Sequence, residues 1–156
     1  MQKLLITFGT RPLAIRLSKL VQNKYKVLLS TSEEVPSVLK EKYLTIPIGT
    51  NPTFSHEVLK LALDNNVQFI LPLGAAEIQA IGESVQLFEE YGIRVICPSK
   101  NELLGLDVLF DPTKDLPLSV VLDRVDLISD QPVACAVNGL GIVSDSGDDF
   151  VLAVLK

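Results

Sequence analysis

Four short turns carry the residue types in this chain best suited to holding a ligand. They are Gly9-Thr10-Arg11, Ser30-Thr31-Ser32, Gly74-Ala75-Ala76-Glu77 and Pro98-Ser99-Lys100. Each follows a short apolar run. The first could offer backbone N–H groups and a helix N-terminus to an anion, with Arg11 as a two-pronged clamp. Glu77 could accept a hydrogen bond from a substrate ammonium or from a partner's arginine. Plainer readings stand beside these. Gly9 can simply make its turn with Arg11 solvated, and a glutamate in a helix's first turn complements the helix dipole. The segment Gly9-Thr-Arg-Pro12 lacks the full glycine fingerprint of a dinucleotide-binding loop. No acidic residue ends the second strand, read as 26–29, where a ribose diol would need one.

Other constellations are thin. The single histidine, His56, follows Ser55 with no partner in the sequence, so no Ser/His/Asp or Cys/His nucleophile system assembles around it. Asp145-Ser-Gly-Asp-Asp149 gathers carboxylates but lacks the later bidentate glutamate of a calcium loop, and reads as a hairpin turn. Cys97 and Cys135 lie far apart, in apolar runs and without a CxxC. That argues against zinc and for two buried thiols in a reducing cytoplasm. No metal site is expected.

The formal net charge is -5 and the 14 basic residues are scattered, which argues against a nucleic-acid partner. Hydrophobic residues make up 47% of the chain, yet no window of about 20 residues is free of charge or proline, so no membrane span is read. The opening Met1 to Phe8 is too soon broken for a signal peptide. A parallel sheet covered on both faces accounts for the apolar excess, because its strands are continuously apolar.

The elements that would position the four turns follow. Strands are expected at 3–8, 26–29, 43–48, 67–71 and 93–97. Between them lie helices at about 12–23 and 34–42, the latter capped by Ser32 and followed in turn by one capped by Ser55. The longest helix is read over 75–91, with Ile78, Ile81, Val85 and Phe88 on one stripe and Gly92 as its stop. One further helical turn falls within 100–106. This alternation predicts an α/β fold, a doubly wound five-stranded parallel sheet spanning residues 1–110. A polar, proline-bounded connector over 110–117 leads to a small antiparallel β meander, 118–156. Its expected strands are 118–129, 133–137, 140–144 and 150–155, with a hairpin at Asn138-Gly139 and a second turn at 145–149. Its apolar residues need more cover than one small layer provides, so it packs on the first part or on another chain, in a two-fold homodimer.

The stretch from Asn65-Asn-Val-Gln-Phe-Ile-Leu-Pro-Leu-Gly-Ala-Ala-Glu-Ile78 to Phe88-Glu-Glu-Tyr-Gly-Ile-Arg-Val-Ile-Cys-Pro-Ser99 resembles the pre-ATP-grasp domain of carbamoyl-phosphate synthase large subunits and related ATP-grasp carboxylate ligases. There a fourth strand ends in Pro-Leu, an Asp-x-Glu-Leu motif opens a long helix, and that helix ends in Phe-Glu-x-x-Gly-Ile before the fifth strand. Gly9-Thr-Arg11 with Ala14-Ile15 is similar to the family's first glycine-bearing turn, and Ser30-Thr31-Ser32 sits where its second strand ends. Glu77 matches the glutamate of the acidic motif, while Ala75 occupies the aspartate position. The family's Asp-Lys pair that starts the ATP-grasp portion is not evident after Ser99, and the loop near Asn138 carries no lysine for ATP phosphates.

The resemblance implies the strand order 3-2-1-4-5 for the parallel sheet. Open α/β sheets bind ligands beyond the C-terminal ends of their strands, so a strand-end cleft lined by Gly9, Thr10, Arg11, Ser30, Thr31, Gly74, Glu77 and Ser99 is expected. The resemblance also implies a binding and assembly module rather than a catalyst acting alone, with a homodimer or a separately encoded ATP-grasp subunit as partner. A small nucleotide- or phosphometabolite-binding regulator is the alternative, and a diverged ATP-grasp ligase fragment a third. The cofactor is left open between a nucleotide and another phosphate-bearing ligand.

Overall fold

The computed structural model describes residues 1–156. Strands β1 (Lys3–Ile6), β2 (Lys26–Thr31), β3 (Tyr43–Thr45), β4 (Phe69–Leu71) and β5 (Arg94–Val95) form one sheet in the order β3-β2-β1-β4-β5. Every pairing in it is parallel, as expected from the βα alternation. The strands are apolar because both faces are covered. Leu4 and Ile6 pack beneath helix α1 (Pro12–Val21), against Leu13, Leu17 and Val21. Leu5 and Ile70 face the opposite side, against Phe54 and Val58 of α2 (Phe54–Asp64), Ile78 and Ile81 of α3 (Ala75–Gly82) and Phe88 of α4 (Val85–Glu90). Burying Phe54 and Phe88 completely contributes about 2–3 kcal/mol each.

The helix expected over 75–91 is two helices. After Gly82 the chain leaves helical geometry at Ser84 (φ −116°, ψ 15°). Glycine and serine are both weak in a helix interior. A Cβ at Gly82 would lie 2.8 Å from the Pro98 carbonyl oxygen, so this position serves close packing. Gly92, at φ 76°, ends α4 as expected. Ser32 caps no helix: beyond Pro36 the chain makes only a 3-10 helix, Ser37–Lys42, that buries none of its residues. Ser55 lies inside α2, behind Thr53, and its hydroxyl donates to the Ala80 carbonyl at 3.2 Å. The last helical turn is α5 (Lys100–Leu103).

The C-terminal part is a second five-stranded sheet. Its strands are β6 (Asp107–Phe110), β7 (Ser119–Leu122), β8 (Val125–Asp126), β9 (Gly139–Val143) and β10 (Phe150–Val154), in the order β6-β10-β9-β7-β8. It is mixed, not a pure antiparallel meander, because β6 pairs with β10 in parallel. The expected strand 118–129 folds back on itself at Asp123 and Arg124, both at positive φ (52° and 64°), and becomes the β7–β8 hairpin. Asn138-Gly139 makes no hairpin. Asn138 Oδ1 accepts the Asp123 N–H at 3.0 Å, and Gly139 already belongs to β9. The 133–137 run joins no sheet: Val133 bonds to the Arg124 carbonyl and Cys135 to that of Gly147.

Alternate residues of this sheet enter both cores. Val121, Phe150, Leu152 and Val154 join the α2–α4 side, whereas Val120, Leu122, Leu140, Ala153 and Leu155 join the α1 side. Much of the cover sought in a homodimer is therefore supplied within one chain. Beyond β10, the Leu155 N–H donates to the Leu73 carbonyl and the Leu155 carbonyl accepts the Ala75 N–H. The second sheet thus reaches the strand-end edge of the first.

Candidate functional site

The edge beyond the C-terminal ends of the parallel strands is where α/β folds bind ligands. Just past β1 lies Thr7, fully buried. Its hydroxyl donates to Glu77 Oε1 and accepts the Leu73 N–H at 2.8 Å. Glu77 Oε1 also accepts the Gly74 N–H at 3.2 Å, which caps the first turn of α3. Glu77 is 2% exposed, and burial pushes its carboxyl up to about 6 against the opposing pull of these hydrogen bonds. Oε1 accepts both of these bonds, one from a side chain and one from the backbone. A cavity of about 120 Å³ opens here, lined by Phe8, Ser32, Ile48, Gly49, Gly74, Ala75, Ala76, Glu77 and Lys156.

Phe8 sits at φ 52°, a left-handed conformation that bulky residues rarely adopt and that costs about 1–3 kcal/mol. The strain brings its ring against Gly74, where a Cβ would stand 2.1 Å from Phe8 Cε2. Arg11 stacks over the same ring at 5.5 Å. Arg11 is no free anion clamp, because Nε and Nη2 donate to Glu33 Oε1 at 3.2 and 2.9 Å. The Thr10 hydroxyl donates to the other Glu33 oxygen at 3.3 Å. Strand β2 runs two residues beyond the expected 29, to Thr31, so an acidic residue does stand past its end. The Thr31 hydroxyl accepts the Glu33 N–H at 3.0 Å and fixes where that side chain starts.

The structure gathers Gly9, Thr10, Arg11, Gly74 and Glu77 around the Phe8 turn. Gly9 serves packing: its N–H bonds to the Ser30 carbonyl, and a Cβ would come within 2.8 Å of Leu29 Cβ. Ser30 is buried with its hydroxyl on the Ile6 carbonyl, so its side chain braces β1 to β2. Ser99 caps α5: its oxygen accepts the Glu102 N–H at 3.3 Å and its own N–H donates to Glu102 Oε1. Thr7, Phe8, Glu33 and Lys156 complete the edge and were not singled out from the sequence. Thr7 alone left a signal there, as the one polar residue within an apolar run. A second cavity on this edge, about 400 Å³, is lined by Ser32, Glu33, Glu34, Val35, Lys40, Tyr43 and Thr45. Its carboxylates outnumber its one cation.

No cluster of three or more His, Cys, Asp or Glu side chains is arranged to hold a metal ion. No helix is long and apolar enough to cross a membrane. A scan against known protein-family models and a search of curated proteins both find no match to this chain.

Proposed function

We propose that the chain is a pre-ATP-grasp-like binding module that works with a separately encoded ATP-grasp subunit rather than driving ATP chemistry itself. The observation that carries this is the buried Glu77 at the strand-end edge, tied to Thr7 and opening onto a cavity of about 120 Å³. Cavities for drug-sized ligands and cofactors occupy about 300–1,000 Å³, so this one suits a single functional group. The strand order 3-2-1-4-5 is the one the resemblance implies. Glu33 and Glu34 beside it disfavour a polyphosphate on the same edge. Two buried free thiols suit a reducing compartment such as the cytoplasm. Co-expression with an ATP-grasp protein that lacks its own N-terminal domain tests this reading. A stable complex whose ATP turnover falls with Glu77→Gln supports it, and no complex with any such subunit counts against it.

One observation favours a second reading, a phosphate-binding regulator. The Arg11–Glu33 pair is about half exposed on both sides, 45% and 46%, and such pairs contribute only about 0–1 kcal/mol. A phosphate can displace Glu33 at small cost. Inorganic phosphate or AMP would then raise the melting temperature, and Arg11→Ala would remove the effect. A homodimer, the other assembly expected, would use the open β6 edge, where Val108 and Phe110 are exposed.

A further inference from the structure

We infer that the α1 side of the β2–β3 edge is a docking groove for an amphipathic helix of a partner protein, apolar on one stripe and acidic on its flanks. Nothing in this depends on what the Glu77 cavity binds. The argument begins with handedness. In the order β3-β2-β1, right-handed crossovers put the β1–β2 and β2–β3 connections on the same face of the sheet. The first connection supplies α1. The second, residues 32–42, supplies only the 3-10 helix, none of whose residues is buried. Val38 on it is 86% exposed. The place beside α1 that a crossover helix fills in a doubly wound sheet is therefore open.

What remains is a groove of about 340 Å³. Ile15 and Ser18 of α1 form one wall, Val27 and Leu29 lie along it, and Tyr43 and Leu44 close the other side. Ile15 is 39% exposed, although α1 is otherwise built to bury its apolar stripe. β3 pairs with β2 only from Leu29 onward, so residues 26–28 lack a neighbour on that side. Six residues of β2 span about 20 Å, the length of a helix of about 13 residues. Such a helix would lie about 8–10 Å from α1, the ordinary spacing of packed helices.

Charge selects the occupant. Lys42 lines the groove, and Lys19 follows one helical turn after Ile15 on α1. Neither forms an ion pair, and Glu41 is the one carboxylate of the lining, in a chain whose net charge is -5. Two unpaired ammonium groups beside an apolar slot complement a helix flanked by Glu or Asp. The helices of this chain offer no such stripe to a second copy: α2 exposes Leu63 as its one large apolar residue, α3 and α4 expose none, and the two that α1 exposes, Ile15 and Leu20, stand five residues apart and so on different faces.

The test uses the full chain, labelled with ¹⁵N, and a synthetic helical peptide with leucines at i, i+3, i+4 and i+7 and glutamates on both flanks. Amide shifts confined to Ile15, Ser18, Val27–Leu29, Tyr43 and Leu44 are expected. The double variant Lys19→Glu/Lys42→Glu, at exposed or rim positions that leave the fold intact, should bind this peptide about tenfold more weakly. It should in turn gain affinity for a lysine-flanked counterpart. Equal binding of a scrambled peptide, shifts elsewhere, or no binding would overturn the inference. So would a concentration-dependent dimer that shifts these residues without peptide, which would make a second copy the occupant. Shifts at the same residues only with mixed phosphatidylcholine–phosphatidylserine vesicles would overturn it in favour of a lipid surface.

Discussion

The Thr7 hydroxyl accepts the Leu73 N–H and donates its own proton to Glu77 Oε1. That bond joins the end of β1 to the first turn of α3, and it satisfies a carboxylate that is almost wholly out of water. The cost of burying that carboxylate is legible in its raised proton affinity, about 6, which the hydrogen bonds from Thr7 and Gly74 pull against.

The first prediction follows from the sign of that shift. A carboxyl whose folded pKa lies above its unfolded value binds more protons in the folded state. The stability that this group contributes is then fully present below about pH 4.5 and is lost as pH rises through 6. The penalty above that window is about 2 kcal/mol for this buried group. Glu77→Gln keeps an acceptor for Thr7 and Gly74 and carries no charge. It should raise stability at pH 8 by up to that amount and flatten the pH dependence between 4.5 and 6. Urea titrations at pH 4, 6 and 8 would check this. An unchanged pH slope would show that Glu77 does not hold the proton assigned to it.

Phe8 and Gly74 should prove energetically coupled. At φ −84° Gly74 sits in ordinary backbone space, so its need for glycine is purely steric. Gly74→Ala would place a methyl inside the Phe8 ring and should cost about 1–3 kcal/mol. Phe8→Ala removes the obstacle. The double variant should therefore lose less than the sum of the single losses, by about 0.5 kcal/mol or more. Strict additivity would mean that the ring does not rest on Gly74.

Neither thiol should react in the native protein. Burial pushes Cys97 up to about 12, and Cys135 is 5% exposed with its sulfur near the Val137 carbonyl. A thiol reagent at pH 8 should modify both only at the rate of unfolding. Prompt labelling of either would place it at a surface.

Purified alone and given ATP, magnesium and bicarbonate or amino acids, the chain should release no ADP above background. The strand-end edge holds Arg11 against Glu33 and sets Glu34 beside it, which is unfavourable for a triphosphate. Robust turnover that Arg11→Ala abolishes would replace the binding-module reading with a catalytic one.

The parallel sheet was readable because its strands are short apolar runs closed by turns, whereas the helix read over 34–42 had no buried stripe to hold it and is a 3-10 helix. Gly92 marked the end of α4 because its conformation is decided by one residue. The second sheet was less readable because pairing there is non-local. β6 finds its partner β10 more than 40 residues later, and nothing in Asp107–Phe110 marks it as parallel. The turn at Asp123 and Arg124 has no glycine to announce its positive φ values. At the site, Glu77 and Arg11 were visible by type and position. The partner of Arg11 was not, because Glu33 reaches it only when β2 continues to Thr31.

The last prediction concerns the two sheets. If the C-terminal part were a separate extension, cutting the chain after Asp115 would leave a parallel-sheet domain that folds by itself. The packing argues otherwise. The cut removes Val121, Phe150, Leu152 and Val154 from one core and Val120, Leu122, Leu140, Ala153 and Leu155 from the other. It also removes the Leu155 bridge to Leu73 and Ala75. Each fully buried side chain of the Val, Leu or Phe type contributes about 1.5–3 kcal/mol, against a total stability of about 5–15 kcal/mol for a domain. The truncated chain should lack a cooperative melt and show poor amide dispersion, while the full chain melts sharply. A sharp melt and a dispersed spectrum from residues 1–115 would instead establish the parallel sheet as an independent domain, and would restore the C-terminal sheet as an interface that its own domain does not require.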